Sequence, residues 1–135
     1  MALLQWDDSY SVSVVEIDNQ HKKLVAIINE LHDSMMKGSV KGVLDSTLKE
    51  LIGYAGTHFK TEEKYFDEYG YAEAAAHKKE HSDFTRKVAG FKKEFEGGRM
   101  GLSIEVMSFL SDWLKNHIKT VDKKYSRFFN EKGLR

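Results

Sequence analysis

Five histidines and two carboxylates carry the chemistry legible in this chain: His21, His58, Glu62, His77, His81, His117 and Asp122. His58 and Glu62 are four residues apart, and so are His77 and His81. An α-helix turns by roughly 100° per residue, so each pair shares a face about one turn apart. A helical core excludes imidazole and carboxylate groups unless something binds them. A metal centre assembled from several helices is such a reason.

The donor set narrows the metal. Imidazole and carboxylate, in a chain with no Cys, suit iron, manganese, zinc or copper better than magnesium or calcium. Seven protein ligands exceed what one ion can take, which implies two. If Glu62 and Asp122 both bridge, each ion receives two oxygens and the imidazoles divide three and two. One further bridging oxygen from solvent makes the first ion six-coordinate and leaves the second with one open position. That vacancy suits end-on binding of a small molecule. The ligands' apolar neighbours, Leu24, Phe59, Trp113, Leu114 and Ile118, with Ile28 and Phe66, predict a dry pocket that admits a small neutral molecule such as O₂.

These residues need elements to hold them. Residues 1–17 read as an irregular arm. Asp18 is the expected N-cap of a first helix carrying Leu24, Val25, Ile28, Leu31 and Met35 as far as Gly38. A second helix is expected from about Val40 to Tyr69, with Leu44, Leu48, Leu51, Ala55, His58, Glu62, Phe66 and Tyr69 on one face and Gly70 after its end. A third runs from about Ala72 to Glu96, its inward seam reading His77, His81, Phe84, Val88, Phe91 and Phe95, and ends at Gly97 and Gly98. A fourth begins near Leu102 or Ser103 and carries Val106, Phe109, Leu110, Trp113, Leu114 and His117. On a continuous α-helix, His117 and Asp122 would lie roughly 140° apart. The reading therefore breaks the helix between them, with Thr120 capping a short final helix from Val121 to Asn130. The expected architecture is all-α: one domain over residues 1–135, an up-down-up-down four-helix bundle with an N-terminal arm and a short C-terminal helix.

Composition sets limits. The 135 residues suffice for one domain with a core; the absence of Pro, 41% hydrophobic and 31% charged residues suit long helices. A formal net charge of zero and no basic stripe argue against nucleic acid or an anionic membrane as partner. The lack of Cys fits a cytoplasmic setting. MALLQWDDSY does not read as a signal peptide, and no apolar run reaches the about 18 residues that span a bilayer.

Four segments carry a resemblance: IDNQHKKL (17–24), HFKTEE (58–63), HKKEH (77–81) and WLKNHIKTVDKKY (113–125). Together they resemble the hemerythrin family, in particular its single-domain bacteriohemerythrins, over essentially the whole chain. The resemblance implies two iron ions (Fe²⁺/Fe³⁺). One is expected on His77, His81 and His117 and the other on His21 and His58, bridged by Glu62, Asp122 and an oxo or hydroxo group. It implies reversible O₂ binding, as hydroperoxide, on the five-coordinate iron. The expected role is carrier, store or sensor rather than enzyme. A di-iron enzyme acting on peroxide or nitric oxide, or one handling iron, is the alternative. O₂ is then the ligand, an O₂-accepting protein a conceivable partner, and the chain a monomer or weak oligomer.

Other polar residues read more plainly. His32 shares the His21 face but about 16 Å further along, so it belongs to the surface or the bundle end. Glu63 points about 100° away from Glu62 and reads as solvated. Glu80 reads as an exposed helix residue; the H-x-x-E-H match that contains it resembles a zinc-peptidase motif but leaves His58, Glu62, His117 and Asp122 without a role. No residue reads as an obvious proton donor in the pocket; Tyr65 and Tyr125 are the exceptions the sequence leaves open, packing being the simpler role for Tyr125.

Overall fold

The computed structural model describes residues 5–38, 40–98 and 101–135; residues 1–4 of the expected arm lie outside them. Four long helical stretches follow in order. α1 spans Val15–Lys37, α2 Val40–Tyr69, α3 Ala74–Glu96 and α4 Leu102–Trp113. A π-helical segment, Leu114–Asp122, and a last helix, α5, Lys123–Glu131, continue α4 without interruption. No strand is present among the described residues. α1 packs on α2, α2 on α3, α3 on α4 and α4 back on α1, which closes the bundle. The expected up-down-up-down architecture holds.

Two boundaries differ from the sequence reading. α1 starts at Val15, so Asp18 lies inside its first turn rather than capping it. Its carboxylate instead accepts from the Ser11 hydroxyl at 2.6 Å and the Val12 backbone N–H at 2.8 Å. Asp18 therefore ties the arm down. The arm is shorter and more ordered than expected: Asp8–Tyr10 form a 3₁₀ turn, and Val12 and Val14 are fully buried. The second difference is the join between His117 and Asp122. The chain does not break there, and Thr120 caps nothing; its hydroxyl donates to the Lys115 carbonyl, five residues back. A π-helix hydrogen-bonds from i to i+5, so a five-residue spacing brings both side chains to one face with no interruption.

The apolar interior is divided. The larger cluster holds Leu24, Ile28, Leu48, Leu51, Phe84, Leu110, Leu114 and Ile118 among others. A smaller one holds Val12, Val14, Ile17, Phe66, Tyr125 and Phe129. The buried imidazoles lie between them: His81 and His117 stack on Phe59 and Trp113 of the first, while His77 touches Phe66 and Tyr125 of the second.

Candidate metal centre

All seven candidate ligands come together, and each is at most 2% exposed. α1 contributes His21, α2 His58 and Glu62, α3 His77 and His81, and the π segment His117 and Asp122. Their donor atoms form two overlapping groups: Glu62, His77, His81, His117 and Asp122, and His21, His58, Glu62 and Asp122. Within each group the ligand atoms lie within 4.8 Å of one another. The imidazoles are thus sorted three and two around two shared carboxylates.

The carboxylates are shared differently. Asp122 offers one oxygen to each group: Oδ2 lies 3.1 Å from His21 Nε2, while Oδ1 lies 2.7 Å from His77 Nε2 and 3.0 Å from His117 Nε2. Glu62 offers Oε1 to both, 3.2 Å from His58 Nε2 and 3.0 Å from His81 Nε2. Its other oxygen, Oε2, accepts from the Tyr125 hydroxyl. Tyr125 is therefore held to a candidate ligand, while Tyr65 donates to Glu16 at the surface.

These short distances are not hydrogen bonds. Nε2 of His77, His81 and His117, Oε1 of Glu62 and both oxygens of Asp122 are buried without a hydrogen-bond partner, as is Nδ1 of His21. Atoms this close yet misaligned are aimed past one another at common points. Orphaned groups of this kind cost about 1–3 kcal/mol each in a closed interior, and cations at those points would satisfy all of them except His21 Nδ1. The arrangement fits a pair of metal ions, with His and carboxylate donors of the sort iron takes.

Electrostatics suit cations as well. Burial and the Asp122 charge oppose ionisation of Glu62, yet His58 and His81 outweigh them and hold its carboxyl below the usual range. Burial likewise opposes the Asp122 charge, but His117, His21 and His77 hold that carboxyl well below its ordinary value. Burial pushes the His58 imidazole down, favouring the neutral form that coordinates.

Three residues outside the predicted set orient the imidazoles. His81 Nδ1–H donates to Glu63 at 2.9 Å, His117 Nδ1–H to Glu80 at 2.9 Å, and His58 Nδ1–H to Gln20 Oε1 at 2.6 Å. Glu63 and Glu80 are thus not simply solvated: each keeps part of its carboxylate in water and spends one oxygen on a buried ring. These bonds fix the tautomer that leaves Nε2 free to coordinate. Gln20 is itself steadied by Thr61, whose hydroxyl receives its amide at 3.1 Å. The register between neighbouring helices makes these pairs, so spacing along one helix could not reveal them; Glu63 and Glu80, each next to a candidate ligand in sequence, were the available hint. His32, half-buried on α1, belongs to neither group.

Of the expected pocket residues, Leu24, Phe59, Leu114 and Ile118 are buried in the larger core and Trp113 packs against it. Phe59 lies flat on His81 at 3.9 Å and Trp113 on His117 at 3.8 Å. Among the described residues no helix is long and apolar enough to cross a membrane.

Comparison with known proteins agrees with this geometry. The family described as "Hemerythrin HHE cation binding domain" matches residues 12–129. A bacteriohemerythrin of Stenotrophomonas maltophilia is 37% identical over 129 residues, covering 93% of this chain and 81% of its own. One from Methylococcus capsulatus is 37% identical over 126 residues, covering 93% and 95%. The crystal structure of a wild-type hemerythrin superposes with a TM-score of 0.84 at 36% identity, covering 93% of this chain and 97% of that one.

Proposed function

The chain belongs to the hemerythrin family, and from that premise we propose that it binds O₂ reversibly at a non-heme di-iron centre, as a carrier, store or sensor. One observation carries the reading: two groups of buried donor atoms, most of them without a hydrogen-bond partner, share Glu62 and Asp122. His77, His81 and His117 would hold one iron, His21 and His58 the other. An iron pair held there would supply the two electrons and the binding site for O₂.

The chain's own residues supply the rest. Glu63, Glu80 and Gln20 hold His81, His117 and His58 in the coordinating tautomer. Tyr125 holds Glu62 by Oε2 and leaves Oε1 facing the imidazoles. Leu24, Leu114 and Ile118 exclude water, and so withhold the protons that would help a reduced ligand leave. A donor set rich in His, with only two carboxylates, favours binding over turnover.

The test is metal analysis followed by anaerobic titration with O₂. About two irons per chain, and optical spectra that return through repeated deoxygenation, are expected. One iron per chain overturns the dinuclear reading. Sustained turnover of peroxide or nitric oxide with a reductant replaces carrier with enzyme.

A further inference from the structure

Tyr54 stands on α2 one turn before His58 and is 3% exposed. Its ring stacks on the His58 imidazole at 5.0 Å and 15°, yet its hydroxyl meets no partner. The Trp113 indole stacks on His117 at 12°, and its N–H is also buried and unpaired. Two phenylalanines join these rings. Phe59 lies 6.1 Å from Tyr54 and 5.9 Å from Trp113, and Phe84 lies 6.2 Å and 4.6 Å from them. The indole N–H is near enough to act on the phenol oxygen, but no hydrogen bond forms between them.

A buried donor without an acceptor costs stability, and Phe would fill either place without that cost. Of the carboxylate oxygens whose charge reaches Tyr54, Glu62 Oε2 is engaged by Tyr125, while Glu62 Oε1 and both Asp122 oxygens belong to the two candidate ligand groups and would be taken by the ions. The missing acceptor therefore comes from outside the chain. The two donors flank the candidate metal centre, one against an imidazole of each group.

We propose that Tyr54 and Trp113 donate hydrogen bonds to the small ligand held at the centre, so that the pocket selects ligands that carry or acquire negative charge. This inference rests on the O₂-binding reading and adds two donors, Tyr54 and Trp113, to the dry apolar pocket expected from the sequence. Tyr54 is the donor that the sequence reading, which considered Tyr65 and Tyr125, passed over.

Azide is the probe. It is titrated into the oxidised, iron-loaded wild type, Tyr54→Phe and Trp113→Phe, following the visible charge-transfer bands, and the metal-free forms are melted alongside. Each variant should load as much iron as wild type and bind azide about tenfold more weakly, as for a lost hydrogen bond to a charged group. Metal-free Tyr54→Phe should melt at or above wild type, because an unpaired hydroxyl has been removed. Wild-type azide affinity in Tyr54→Phe overturns the inference; a lower melting temperature with it would make the hydroxyl structural. Iron-loaded wild type that binds neither azide nor O₂ overturns the O₂-binding reading itself, and this inference with it. Should Trp113→Phe fail to fold, Tyr54→Phe decides alone.

Discussion

Glu80 shows how much of the centre depends on a side chain that is itself 42% exposed. Its bond to His117 Nδ1 fixes which ring nitrogen faces inward, and a carboxylate there also raises the ring's basicity. Glu80→Gln keeps the shape and loses the charge, so iron should dissociate roughly ten to a hundred times more readily. Competition with a chelator measures this, with the exposed Glu50→Gln as control. Equal retention in both would show that the carboxylate orients nothing. At this scale the candidate ligands were legible because His and Glu at four-residue spacing are rare on inward faces. Their orienting partners were not, because Glu63, Glu80 and Gln20 reach rings on other helices, and only the packed register reveals that.

The π segment, Leu114–Asp122, decides whether one helix can supply two neighbouring ligands. The sequence reading assumed about 100° per residue throughout, and that assumption alone produced the break at Thr120. Hydrogen bonds from i to i+5 remove the need for it. The rest of the helical layout was legible from apolar periodicity and from glycines: Gly38 and Gly70 take positive φ, 73° and 70°, where α1 and α2 end. Long π stretches are rare and recur at functional sites, and this one carries His117 and Asp122, so fixing those two side chains should stabilise it. With iron removed, amide exchange should accelerate more in residues 114–122 than in 102–113. Hydrogen-exchange mass spectrometry compares the two, and equal acceleration would mean that the π turn is stable by itself.

Across the whole molecule, the imidazoles and carboxylates form a polar layer between a large, mainly aliphatic core and a small one rich in aromatic rings. Each helical stretch crosses that layer, so a bound metal pair clamps the four together. Binding to the native state alone stabilises it by mass action. The metal-free protein should therefore melt lower by on the order of 10 °C or more. Calorimetry of both forms checks this, and coincident melting temperatures would mean that the ions clamp nothing. The layer also bears on cooperativity. Apolar contact ties a folded domain into one unit, and here that contact is interrupted at mid-height. Ser126 and Asn130 fasten the arm to α5 through the Val12 and Ser13 carbonyls, which makes the small core a nearly self-contained cap. With the ions in place the two cores must unfold together. Without them, only the helix backbones and a few ring contacts through the imidazoles join one core to the other, and the single transition should resolve into two.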